Sequence, residues 1–196
     1  MNSFDLFGYH LINRWAGHIP LVDGFLSFIA QYALELYVLL FLAAWLFLPK
    51  RDTNSRHTLV IMVFAGLLAL LFNILISHLW FRPRPFALLP KGSFIQLVPH
   101  ALDASFPSDH TAGSFGFAGA SWRKTGRWIS YSFTLLAVLT ACARLYTGLH
   151  WPTDILAGIV VGIASARIAW RFNKHLTGIT NLGLRLSLPF LSSIQK

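Results

Sequence analysis

TLVIMVFAGLLALLFNILISHLWF, residues 58–81, runs for 24 positions without an Asp, Glu, Lys or Arg. A membrane-crossing helix needs about 20 such residues, so this stretch predicts a span and sets the class of the fold. Working outward, residues 24–49 carry Glu35 as their only charge and predict a second span. Towards the C-terminus, residues 128–143 end at Arg144, and a glycine-dotted run begins at Pro152 and continues to Arg167 and Arg171. Between these lies 108–122, about 22 Å long as a helix at 1.5 Å per residue and opening on Asp109 and His110, too short for simple anchoring.

Composition agrees. Of 196 residues, 55% are hydrophobic and 12% charged, against roughly 25% charged in a soluble domain, which excludes a water-soluble globule or a disordered tail. The net charge of +9 comes from 16 Lys+Arg against 7 Asp+Glu. These bases sit between apolar runs, so membrane topology accounts for them and no nucleic-acid partner is implied. Cys142 is the single cysteine; it forms no intrachain disulfide and reads as a small packed hydrophobe. Asp5 precedes any Lys or Arg, so the first residues do not read as a cleavable signal. Residues 1–20 alternate aromatic and polar groups and stop at Pro20, which suits a helix lying along the interface; a sixth span is the alternative. The expectation is an all-α polytopic membrane helix bundle of about five transmembrane helices plus an N-terminal interfacial helix. It forms one domain, 1–196, with its chemistry in 82–154. Gly158 and Gly162 are spaced for close helix contact, or are incidental small residues.

Orientation follows from three basic clusters: Lys50, Arg51 and Arg56; Arg123, Lys124 and Arg127; and Arg167, Arg171, Lys174, Arg185 and Lys196. With five spans all three fall on one side, the cytoplasm by the positive-inside rule. Segments 82–107 and 144–154 then share the outer face of the cell membrane.

Those segments and the start of the short run hold Arg82, Arg84, Lys91, His100, Asp103, Asp109, His110, Arg144, His150 and Asp154. Ionisable groups are expensive at membrane depth, so their convergence predicts a site; Lys91 and Asp103 read as loop charges in water. Ser108 suits a helix N-cap with Asp109 in the first turn, and such a helix start attracts anions, phosphate above all. Pro152 suits the first position of the next helix, which puts Asp154 in its first turn, facing His150. A carboxylate on one imidazole nitrogen fixes the tautomer and frees the other as base or nucleophile. In Arg82-Pro83-Arg84-Pro85 the prolines end the span, and the guanidinium groups offer bidentate contacts to phosphate oxygens or act as interface anchors.

Arg84-Pro85, Pro107-Ser108-Asp109-His110, and Arg144 with His150 and Asp154 resemble, in order and internal spacing, the three signature motifs of the type-2 phosphatidic acid phosphatase superfamily. Within it, Pro-Ser-Asp-His, the preceding Pro99-His100-Ala-Leu-Asp103-Ala-Ser-Phe stretch and the small size look most like the bacitracin-resistance type of undecaprenyl-diphosphatase. The resemblance implies a hydrolase acting on a phosphoric anhydride, with a polyprenyl diphosphate lipid as substrate. His150 would attack phosphorus, oriented by Asp154, and form a phosphohistidine. His110 would protonate the leaving oxygen and then activate water. Arg84, Arg144 and the backbone around Ser108 and Asp109 would hold the phosphoryl oxygens. No metal or other cofactor is implied, because arginines and helix-terminal N–H groups stand where a cation would act. Two departures are visible: the superfamily's first-motif lysine is Ser77 here, a contact Arg82 replaces or leaves empty, and the serine before the third-motif arginine is Ala143. Rival readings are a metal site built from His100, Asp103, Asp109 and His110, an aspartyl phosphate on Asp109, a phosphatase of phosphatidylglycerophosphate or phosphatidate, a lipid phosphotransferase, and a transporter.

Overall fold

The computed structural model describes residues 2–49 and 51–194; Lys50 and Lys196 of the basic clusters lie outside them. Eight helices follow in order among the described residues: α1 Ser3–Asn13, α2 Pro20–Phe47, α3 Thr53–Leu79, α4 Pro85–Leu88, α5 Asp109–Ser121, α6 Arg127–Tyr146, α7 Pro152–Arg171 and α8 Asn173–Ile194. Their starts are written locally. Proline holds the first positions of α2, α4 and α7, where its missing N–H costs nothing. Asn2 and Asp52 cap α1 and α3 by accepting from the amides of Asp5 at 2.7 Å and Ser55 at 3.0 Å.

Four helices, α2, α3, α6 and α7, are long and apolar enough to cross a membrane. The fifth expected span, α5, has 13 residues, or about 20 Å of helix, and is surrounded by α3, α6 and α7. Its short length is tolerable because protein, not lipid, covers it. At 11 residues α1 covers about 16 Å, half the hydrocarbon core, and it rests on the ends of α6 and α7. Residues 173–194, read from sequence only for the basic residues Lys174 and Arg185, form α8, which inserts Leu176 into the core and bonds Thr180 to His57 at 2.7 Å.

Small residues let α5 approach its neighbours. A methyl added at Gly158 would stand 2.9 Å from the Ser108 carbonyl, and one at Gly162 would press on the Ala112 carbonyl and lie 2.8 Å from the Gly116 amide. The glycine pair is therefore a close-contact surface for α5 and not incidental. Gly162→Ala should destabilise the protein by about 1–3 kcal/mol through overpacking, read as a lowered Tm in detergent. Large apolar side chains such as Leu39, Leu75, Leu135 and Val160 face outward, as a lipid-facing surface requires. Cys142 is among the outward-facing residues, so the expectation that it packs inside is corrected: it lies on the face of α6 turned away from the core.

The two ends of the bundle differ in chemistry. At one, Thr58 donates to the Lys124 carbonyl at 3.2 Å, Trp170 donates to the Ala120 carbonyl at 3.0 Å, and the Lys124 ammonium sits 4.7 Å over the Trp170 ring. Arg56, read as a loop cation, is buried there and caps α2, donating to the carbonyls of Pro49 at 2.6 Å, Leu48 at 2.8 Å and Trp45 at 3.2 Å. At the other end the starts of α5 and α7, the end of α6 and the loop from α3 to α5 converge.

Candidate active site

The end of α6 sets the distance between Arg144 and His150. Thr147 closes the helix, Gly148 turns the chain at φ 82°, and the Leu149 amide then donates back to the Arg144 carbonyl at 3.1 Å. Glycine is needed twice over: its φ is left-handed, and a side chain there would strike the Ile95 carbonyl. The turn folds His150 back beside Arg144, and both are buried.

His150 Nδ1 lies 2.9 Å from the Ser105 carbonyl. That oxygen only accepts, so Nδ1 carries the proton and Nε2 presents its lone pair. Around Nε2 stand two guanidinium groups, Arg84 Nη1 at 3.0 Å and Arg144 Nη2 at 3.3 Å. Burial, and then the charges of Arg144 and Arg84, push the His150 imidazolium well below the ordinary histidine range. The imidazole is therefore neutral, with an unprotonated nitrogen set between two anion-binding groups.

Asp154 does not meet the imidazole as the sequence suggested: its Oδ2 is 3.6 Å from His150 Nδ1. That oxygen accepts instead from Ser105 Oγ at 2.5 Å and from the Trp151 amide at 2.8 Å, closing the first turn of α7, while Oδ1 takes Arg82 Nη1 at 2.7 Å. Asp154 thus reaches His150 through Ser105. Arg82, considered for phosphate binding, is occupied by Asp154, by Asp5 at 2.6 Å and by Thr153 at 2.6 Å. Ser77 bonds to its own helix at Ile74, 3.0 Å away. Neither takes the place of the superfamily lysine; the group that stands beside the arginines is His100, whose Nε2 is 3.0 Å from Arg144 Nη2.

Arg84 is fixed from several sides: Nε donates to Asp103 at 2.6 Å, Nη1 to the Leu149 carbonyl at 3.0 Å and Nη2 to the Ala104 carbonyl at 3.3 Å. Asp103, expected to be a loop charge, is thus an ion-pair partner. Burial raises its carboxyl, but the Arg84 hydrogen bond and charge outweigh this and hold it below the usual range. Ser108 occupies the N-cap position of α5, yet no side chain caps that helix; Ser108 Oγ accepts from Thr111 at 3.0 Å. The first-turn amides of α5 are left for an anion. Asn73 of α3 steadies this turn, donating to Asp109 at 2.9 Å and to the Pro107 carbonyl at 3.3 Å.

His110, in the first turn of α5, lines an apolar cavity of about 400 Å³ between α2, α3 and α5, together with Asp109 and residues such as Leu34, Val38, Leu67 and Leu70. The four residues of the rival metal site do not gather: among the described residues, no group of three His, Cys, Asp or Glu side chains is placed to hold an ion. Of the nearby aromatics, Trp80 and Phe81 are exposed whereas Trp151 and Tyr146 are buried, so only the first pair suits an interfacial belt.

Sequence reasoning missed Ser105 as the bridge to His150, and it missed Asp5 and Asn73. The bonds described for them span 34 to 148 residues along the chain, and no local spacing announces them.

This helical arrangement has known counterparts. Residues 58–177 match the PAP2 superfamily, and the chain belongs to it as a multi-pass membrane lipid phosphatase. It is 32% identical over 188 residues to the undecaprenyl-diphosphatase BcrC of Bacillus subtilis (strain 168), covering 96% of this chain and 94% of that one. It is also 28% identical over 160 residues to an undecaprenyl-diphosphatase of Sulfolobus acidocaldarius, covering 82% and 74%. The crystal structure of Aquifex aeolicus LpxE superposes with a TM-score of 0.71 at 27% identity, covering 87% of this chain and 96% of that one.

Proposed function

We propose that this protein hydrolyses undecaprenyl diphosphate to undecaprenyl phosphate and inorganic phosphate, recycling the carrier lipid of cell-wall synthesis and conferring bacitracin resistance. The observation that carries the reading is the neutral Nε2 of His150 between Arg84 and Arg144, together with an apolar cavity of about 400 Å³ whose lining includes Asp109 and His110. The names of the Bacillus and Sulfolobus relatives point to the same substrate. The basic residues at the opposite end of the bundle support a site on the outer face.

His150 Nε2 attacks the terminal phosphorus, and the bond from that phosphorus to the bridging oxygen breaks. His110 gives its proton to that oxygen as undecaprenyl phosphate leaves. Water then attacks the phosphohistidine while His110 takes the proton, and phosphate departs. Arg84, Arg144 and the first-turn amides of α5 hold the three equatorial oxygens, which supplies the positioning and charge stabilisation that phosphoryl transfer needs.

Phosphate release by the detergent-purified enzyme tests the reading, with undecaprenyl diphosphate, phosphatidylglycerophosphate and phosphatidate in parallel and excess chelator present. Fastest release from the diphosphate, undiminished by chelator, is expected; equal or faster release from a phospholipid would replace the substrate assignment. Filling the cavity with Leu67→Trp should raise KM for undecaprenyl diphosphate roughly tenfold by displacing about two methylenes of the tail, with a smaller effect on a short-chain polyprenyl diphosphate.

The pH profile follows from the state of His150. Because its imidazolium is destabilised, the nucleophile stays unprotonated as pH falls through the ordinary histidine range. An unperturbed histidine would lose about three-quarters of its neutral form by pH 6, whereas kcat/KM here should hold nearly level from pH 7 to 6 and fall only below. In the free enzyme burial, and then the charges of Arg144, His100 and Arg84, push the His110 imidazolium down to about 3, so its acid form arises beside the bound diphosphate; the alkaline limb therefore belongs to kcat, not to kcat/KM, and should vanish in His110→Ala. An acid limb centred near pH 6.5 would contradict the assignment.

A further inference from the structure

Asp5 is fully buried, although it belongs to the first turn of a short amphipathic helix at the edge of the bundle. Its carboxylate accepts from the Thr153 amide at 2.9 Å, the Thr153 hydroxyl at 2.8 Å and Arg82 Nη2 at 2.6 Å. The other Arg82 nitrogen, Nη1, holds Asp154 at 2.7 Å, and the guanidinium lies 5.5 Å from the centre of the Trp151 ring. Asp154 in turn takes the Ser105 hydroxyl, and the Ser105 carbonyl takes His150 Nδ1. One guanidinium is therefore set between two buried carboxylates, and a continuous line of hydrogen bonds joins α1 to the reacting imidazole.

From this connection we propose that Asp5 is a positioning residue for the hydrolysis: it fixes Arg82 so that Asp154 and Ser105 hold His150 Nε2 on the phosphorus. This rests on the assignment of His150 as the nucleophile.

Anchoring α1 does not require the charge. Asn13 already ties α1 to the core, donating to the carbonyls of Ile95 at 2.7 Å and Tyr146 at 3.0 Å and accepting from the Ile95 amide at 2.9 Å. Tyr9 packs on Trp151 with ring centres 5.3 Å apart, and Gly8 lets the helix lie directly on Pro152. A buried ionic cluster is a costly way to dock a helix that apolar contacts already dock. Its chemistry fits a different use: without Asp5, Arg82 has only Asp154 as a charged partner and draws that carboxylate away from Ser105. Burial raises the Asp5 carboxyl, but the Thr153 amide and Arg82 outweigh this and hold it below the usual range, so the charge is present at neutral pH.

The test is a double-mutant cycle in the full-length protein, with phosphate release from undecaprenyl diphosphate as the readout. Asp5→Asn should lower kcat about tenfold, the scale of a small misplacement of a reacting group, with KM within about twofold of wild type. In an Arg82→Gln background the same change should cost less than about twofold, because the line to His150 is already cut. Asn13→Ala, which loosens α1 without touching Arg82, should leave kcat within about twofold. Equal losses from Asp5→Asn in both backgrounds, or a loss in Asn13→Ala matching that in Asp5→Asn, would show that Asp5 only docks α1 and would overturn the proposal. Should Asp5→Asn fail to fold, Asp5→Glu decides: a kcat below wild type with KM unchanged supports positioning, and wild-type kinetics refute it. An inactive wild type would instead refute the hydrolase reading itself.

Discussion

His150→Ala should reduce phosphate release by about five to six orders of magnitude, the loss expected when a covalent nucleophile is removed from a site whose other parts remain. His100 Nε2 meets the Arg144 guanidinium but is not set between two guanidinium groups as His150 Nε2 is, and Asp109 holds Asn73 through its carboxylate. The same variant decides between the two covalent routes. Wild-type enzyme quenched during turnover with labelled substrate should carry a phosphoryl group that is stable in alkali and labile in acid, as a phosphoramidate is, and His150→Ala should carry none. A label released by alkali, retained in His150→Ala and lost in Asp109→Ala, would move the intermediate to an aspartyl phosphate.

Arg84→Lys should lower kcat by about 10² to 10³ even though the charge is kept. The guanidinium is buried and makes simultaneous bonds to Asp103, the carbonyls of Leu149 and Ala104, and His150 Nε2. A lysine ammonium is a single point with no planar fork, so it cannot keep the Asp103 and carbonyl contacts while reaching two phosphoryl oxygens. Because the lost contacts strengthen as charge develops in the transition state, kcat should fall far more than KM rises, and single-turnover phosphorylation of His150 should slow by the same factor. A change confined to KM would mean that Arg84 only binds the ground-state diphosphate.

The reach of sequence reasoning differs from residue to residue. Arg84, Arg144, His150 and Asp154 were legible because each sits near the boundary of an apolar run, within four residues of a proline or glycine that stops or starts a helix, where a charge needs a reason to be. The short run 108–122 was legible as too short for simple anchoring, but only the packing shows that α3, α6 and α7 enclose it. Arg82 misled because its sequence context, between Phe81 and Pro83, is equally suited to a phosphate contact, an interface anchor or the internal ion pair that it makes. Asp154 misled in a subtler way. Its spacing of four from His150 promised a direct bond, but closing the first turn of α7 on the Trp151 amide turned Oδ2 towards Ser105.

What the sequence alone determined is the class: a helical membrane bundle with its polar chemistry at one end. The bilayer imposes that reading, since lipid-facing spans built from long apolar runs must be helices and every unpaired charge within it is penalised. Tertiary structure alone decided which atoms meet. The Ser105 bridge, the Asp5–Arg82–Asp154 line and the cavity beneath His110 join segments up to 148 residues apart. Such contacts depend on how α1, α5 and α7 pack around their glycines and prolines, a geometry that no local window of sequence contains.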